Sequence, residues 1–250
     1  MRALESAVNL FRGGLYDEAL LVLESNMTAE PDCGRLWELR GLVLRAQGNI
    51  SLACDSLEHA TLLRPLSHSG QVTLADCLTR LGRPQVALCI AEHVMTLKSV
   101  DCSLLVYLAQ VCDSAQRPDL SVKLCERVNE RLPQFHPAHY DRGFYLGRLG
   151  RPLEEIEAAA RQAIAIAPDV ANYRVGLASL LWQRGDFDGA CCEAAQLSPS
   201  QLQQLTCECC LRRLIKIFWS ANAFGRCQAC VERLEELAGD SHSADPGCCL

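Results

Sequence analysis

Apolar residues along this chain fall at helical spacing in short runs. Between Leu36 and Arg45 they occupy Leu36, Leu39 and Val43 with Gly41 among them, and the stretch from Leu52 to Leu63 repeats the arrangement. Each stretch predicts a helix with one apolar face, and the two together predict a helix pair. Small residues then recur on a fixed ruler. Ala7, Gly41, Ala75, Ala109 and Gly143 each stand 34 positions after the last, and Ala178 follows at 35. A second small series runs through Ala19, Ala53, Ala87 and Ser121 and resumes at Ala190, with Ile156 in the slot between. Gly14, Gly48, Gly82, Gly150 and Gly185 fall between the two series and predict turns, while Gln116 holds that slot in the fourth unit. Pro31, Pro65, Pro133 and Pro168 close most units, because a residue without a backbone N–H cannot continue a helix.

Gly41, Ala53 and Ala60 would let the two helices of a unit approach closely, with Trp37, Leu44 and Leu57 filling the space around them. Neither helix can bury its apolar face alone. Stacked units bury a continuous core, so the expected architecture is an all-α, right-handed solenoid. It would occupy residues 1–238 as a single domain, followed by a flexible tail over 239–250.

These positions resemble the tetratricopeptide repeat. The second unit carries Trp37, Gly41, Leu44, Gly48, Ala53, Leu57, Ala60 and Pro65 of that pattern, and GDFDGA at 185–190 is similar to the family's turn. The resemblance covers six units to about residue 198. A divergent seventh follows at roughly 204–238, in which Ile215, Cys227 and Leu234 would take the small slots. The fifth unit has one extra residue in its turn, GRPLEEI, and the seventh is displaced by about three residues. The resemblance implies a superhelical scaffold whose concave groove is lined by the first helix of each pair. It also implies protein–protein interaction as the function.

Composition narrows the partners. The chain has 24 Lys and Arg against 30 Asp and Glu, a net charge of −6, which offers no electrostatic footprint for a nucleic-acid backbone. Charged residues interrupt every hydrophobic stretch, so none reaches the roughly 18 residues a membrane span needs. The opening MRALESAVNLFRGG places Glu5 inside an amphipathic stretch and does not read as a secretory signal. The expected compartment is the cytoplasm, where the 16 cysteines would stay reduced and serve as small packing residues.

Several of those cysteines invite a chemical reading. Cys207, Cys210, Cys227 and Cys230 stand in C-x2-C-x16-C-x2-C, a spacing that suits zinc. The repeat register opposes it, since the two pairs would begin the two helices of an antiparallel hairpin. Opposite ends lie roughly 12 Å apart, too far for four sulfurs about 2.3 Å from one ion. Packing is the expected role of these four, and also of Cys191 and Cys192. Cys248 and Cys249 fall in the tail without a prenylation signal. His136 and His139 sit one turn apart with no third ligand nearby, as an exposed cap would. There is no nucleophile elbow, phosphate-binding glycine loop or metalloprotease helix, so neither catalysis nor a cofactor is expected.

The register projects onto the groove Arg35, Glu38, Leu42 and Arg45, then Val72, Asp76 and Thr79, then Val106, Gln110 and Asp113. The later units contribute Tyr140, Phe144, Arg148, Val175, Ser179, Trp182, Arg212, Lys216 and Trp219. Aromatic anchors rimmed by cations would hold a partner's peptide or helix. Packing between neighbouring repeats competes for Tyr140, Phe144 and Trp182. The family's clamp for chaperone C-termini is not expected, since its slots hold Leu4, Val8, Glu38 and Leu42. The reading is therefore a non-catalytic scaffold or adaptor. The alternatives are a cysteine-rich metal- or redox-responsive regulator and the helical arm of an enzyme complex. Divergent terminal units leave self-association open.

Overall fold

The computed structural model describes residues 2–239, and Cys248 and Cys249 of the expected tail lie outside them. The described residues form fifteen α-helices and no strand. In order these are α1 (Arg2–Arg12), α2 (Tyr16–Met27), α3 (Gly34–Ala46), α4 (Ile50–Leu63), α5 (His68–Arg80), α6 (Pro84–Thr96), α7 (Cys102–Ser114) and α8 (Pro118–Arg131). There follow α9 (His136–Arg148), α10 (Leu153–Ile166), α11 (Ala171–Arg184), α12 (Phe187–Ala195), the short α13 (Pro199–Gln203), α14 (Glu208–Ser220) and α15 (Phe224–Gly239). Two compact units divide within α8, between Leu124 and Cys125. None of these helices is long and apolar enough to cross a membrane.

In the first unit the predicted pairs are present as α1–α2, α3–α4 and α5–α6, and first helices stack on one another, α1 on α3, α3 on α5 and α5 on α7. The turn between the helices of each pair has one form. Gly48, at φ +85°, donates its N–H to the Arg45 carbonyl, and Asn49 donates to that of Leu44, closing α3 with an αL residue. The unbranched Gly41 is a requirement of packing, because a Cβ there would lie 2.5 Å from Leu57 Cγ on α4. Ala7, Ala19, Ala53, Ala75, Ala87 and Ala109 are all buried, as close helix approach demands. Ser121 in the second small series is buried too, and its hydroxyl donates to the Ala109 carbonyl at 2.7 Å.

In the second unit the pairs are α9–α10, α11–α12 and α14–α15. Gly143 on α9 meets the Ala159 methyl of α10 at a Cβ distance of 3.3 Å, a looser approach than at Gly41. Glu193 of α12 is buried and binds two guanidinium groups, Arg161 of α10 at 3.0 Å and Arg174 of α11 at 3.2 Å. The displacement of the seventh pair has a visible cause in α13, inserted before it and capped by Ser198 and Gln201. Cys227 sits in the small slot predicted for it, with its thiol 3.8 Å from the Ile215 carbonyl, the same register offset that joins Ser121 to Ala109. Along α14, Leu211, Leu214, Ile217 and Phe218 are buried and Arg212, Lys216 and Trp219 are exposed.

Candidate functional site

The sequence places its candidate surface on the first helices of the second unit, α9, α11 and α14. Tyr140 of α9 is committed to packing. Its ring lies 4.5 Å from that of Tyr173 on α11, and its hydroxyl donates to the Asn172 carbonyl at 3.2 Å. His136 joins the same contact through Nδ1, 2.7 Å from the Tyr173 hydroxyl, while His139 Nε2 lies 2.9 Å from the Pro133 carbonyl. The two histidines therefore act separately, as local hydrogen-bonding groups. Phe144 is half-buried edge-on to Tyr145, and Arg148 is exposed.

On α11 the projection needs correction. Val175 is fully buried, and Ser179 retains 3% exposure with its hydroxyl donated to the Val175 carbonyl at 2.7 Å. Both are on the packed side of the helix, because helical periodicity finds an apolar face without saying which part of it a neighbour covers. Trp182 stays half-buried, edge-on to Phe187 at 4.7 Å. Its indole lines a cleft of about 100 Å³ together with Ser179, Gln183, Arg213, Lys216 and Ile217. Farther along α14, Trp219 is 66% exposed and meets Phe224 edge-on at 5.4 Å. Arg212 is exposed and faces Glu208 at 3.5 Å. Arg212, Arg213 and Lys216 give this helix three cations against the one carboxylate of Glu208.

The groove positions projected for the first unit are largely used by the fold. Glu38 is buried and accepts from the Ser67 backbone N–H at 3.0 Å, the Ser67 hydroxyl and Arg64 at 3.1 Å. Asp76 is buried between Arg45 and Arg80. Val72 is fully buried.

Two features went unread in the sequence. Asp141 of α9 is held in an apolar setting beside Cys125 and Tyr173, and burial raises its carboxyl to about 6. The other is a convergence of cysteine sulfurs at the start of α14. The sulfurs of Cys207, Cys209 and Cys210 all lie within 4.8 Å of one another, and those of Cys207 and Cys209 are 2.7 Å apart. Among the described residues this is the one such close group of three or more His, Cys, Asp or Glu side chains, and Cys209 in it is disulfide-bonded and not a free thiol. Cys227 and Cys230 do not join it. Both are buried in α15, where loss of solvent pushes the Cys230 thiol up to about 11. The four cysteines of the zinc pattern are thus not gathered at one point.

Comparison with known proteins agrees with this architecture. A family model for the tetratricopeptide repeat matches residues 138–201. Among curated proteins, none matches the chain. The C-terminal part of a TPR repeat-containing protein from Cytophaga hutchinsonii is similar over 98% of this chain and 96% of its own, with TM-score 0.69 and 11% identity. The type IV pilus biogenesis factor PilW is similar over 78% and 90%, with TM-score 0.66 and 18% identity. YrrB, described as a TPR protein with an unusual peptide-binding site, is similar over 68% and 87%, with TM-score 0.56 and 18% identity.

Proposed function

We propose that this chain, whose fold is that of tetratricopeptide-repeat proteins and whose residues 138–201 match that family's model, is a non-catalytic interaction scaffold that takes a peptide or helix of a partner protein on the surface of α11 and α14. The cleft lined by Trp182 and Lys216 carries the reading. A half-buried indole offers an apolar anchor site, and cations at its edge offer charge-assisted contacts, the combination that dominates binding energy at protein interfaces. Arg212 and Trp219 extend the surface along α14. Phe144 and Arg148 are its outlying members on α9, and Tyr140 supports them from within the packing. Val175 is fully buried and belongs to the packing beneath, while Ser179, with 3% exposure, lines the cleft beside Trp182. The excess of cations selects a partner segment that mixes acidic with apolar residues. A peptide-binding site described for YrrB gives precedent on a similar fold. We place the scaffold in a reducing compartment such as the cytoplasm, where buried thiols such as Cys77 and Cys112 remain thiols.

The test is a peptide-display selection on the intact chain, followed by titration of the selected peptides. Acidic, apolar-anchored peptides are expected, with binding weakened at least ~10-fold by Trp182→Ala or Lys216→Glu in protein whose circular dichroism is unchanged. Should Trp182→Ala unfold the protein, Arg212→Glu with Lys216→Glu asks the same question from exposed positions. Peptides that bind these folded variants as tightly as the native chain would overturn the assignment.

A further inference from the structure

We propose that a second copy of this chain docks on α1, the two α1 helices packing antiparallel about a two-fold axis. The inference goes beyond peptide binding and uses a different surface. Its basis is the face made by Glu5, Val8, Asn9 and Arg12, the i, i+3, i+4, i+7 spacing at which one helix packs on another. Glu5, Asn9 and Arg12 are exposed and Val8 is half-buried. With Leu4 they border a cleft of about 340 Å³.

The repeat register shows what this face does elsewhere. Leu39 and Val43 stand 34 positions after Glu5 and Asn9, and both are buried in one cluster with Ala7, Ala19 and Leu23 of the first pair. On α3 the face is therefore the one that stacks on the preceding pair. On α1 the same places hold a carboxylate and an amide, and an apolar surface laid over them would strand both. A surface that covers them must itself be polar and carry the complementary charges.

A second α1 meets both conditions in one direction only. Glu5 and Arg12 are seven residues, or roughly 10 Å, apart along the helix axis. Turned antiparallel, with the two-fold axis passing between Val8 and Asn9, each Glu5 comes opposite the other copy's Arg12. Val8 then meets Val8 and Asn9 meets Asn9 across the axis, an apolar pair beside an amide pair that can exchange hydrogen bonds. A parallel arrangement would set Glu5 on Glu5 and Arg12 on Arg12, and like charges repel. The antiparallel pairing is isologous, so it closes at two copies. One helix face per copy buries less than the roughly 1,200 Å² of a standard interface, so the dimer is a weak one that forms at high concentration. Its ion pairs stay at the solvent edge, where salt screens them.

The experiment is sedimentation equilibrium of the full reduced chain at concentrations up to about 1 mM, with folding checked by circular dichroism. Native protein is expected to dimerise, and more weakly as salt is raised. Glu5→Lys and Arg12→Glu should each associate at least ~10-fold more weakly, since either puts like charges opposite one another at both ends. The two variants mixed should associate as native does, because one copy then offers two cations and the other two carboxylates. Should either variant fail to fold, Glu5→Gln and Arg12→Gln ask the same question, with an expected weakening of ~3-fold. The proposal is overturned if native protein stays monomeric throughout, which would make the α1 face a polar cap only. It is equally overturned if folded single variants dimerise as tightly as native, or if their mixture does not regain association.

Discussion

Three glycines of this chain look alike on the repeat ruler and differ in physical purpose. Gly48 has open space where a Cβ would go and a φ of +85°, so its requirement is purely conformational. Gly48→Ala should lower unfolding free energy by about 1–2 kcal/mol in a urea titration. Gly41 has helical geometry but no room, with Leu57 Cγ 2.5 Å from the added carbon. Gly41→Ala should cost about 3 kcal/mol, because Leu57 is itself fully buried and has nowhere to move. Gly143→Ala should stay within about 1 kcal/mol of native, since its nearest neighbour is at 3.3 Å and alanine is the better helix former. A Gly143 variant as damaging as the Gly41 one would refute this ranking. The ruler made all three positions legible, because small volume is written in the residue type. It could not say which of them answers to φ and which to space. Asp141 was illegible for a related reason, since its significance arises only from what folding places beside it.

At the level of the helix, the sequence specified six pairs well and the seventh less well. Five of the positive-φ turn residues are the glycines the spacing predicted, and Gln116 occupies the sixth slot at φ +61°. The seventh is Asn222 at φ +55°, 37 residues after Gly185, a shift produced by the insertion of α13. Five residues are too few to carry a hydrophobic period, so the PSQLQ helix had no signature beyond its Ser198 cap. Glu193 shows what else a repeat pattern omits. It joins α10, α11 and α12 by accepting from Arg161 and Arg174, and the Arg174 side chain is only 15% exposed. Removing the carboxylate leaves a largely buried guanidinium that still donates to the Gln196 side-chain oxygen at 2.8 Å. Glu193→Ala should therefore cost about 2 kcal/mol or more, and Glu193→Gln less, as read from urea midpoints. Equal losses for the two variants would mean that packing, and not charge, gives Glu193 its role.

For the molecule as a whole, acidity makes pH a useful probe, and Asp141 fixes its direction. The ordinary carboxyl value is 3.8 and burial raises this one to about 6, so between those values the folded protein holds a proton that the unfolded chain has released. The stabilisation from that retained proton is complete below about pH 4 and is lost as pH rises through about 6. The change is worth on the order of 3 kcal/mol. The chain carries six histidines and 30 acidic residues in all, so the measured quantity must be a difference. Urea unfolding of native protein and Asp141→Asn at about pH 4.5 and about pH 7 isolates it. The amide keeps the shape and carries no charge, so the variant should gain stability relative to native at the higher pH and little at the lower one. A native advantage that grows with pH would instead mean that the Asp141 carboxylate is stabilised by a cation in the folded state, opposite to the apolar setting beside Cys125 and Tyr173.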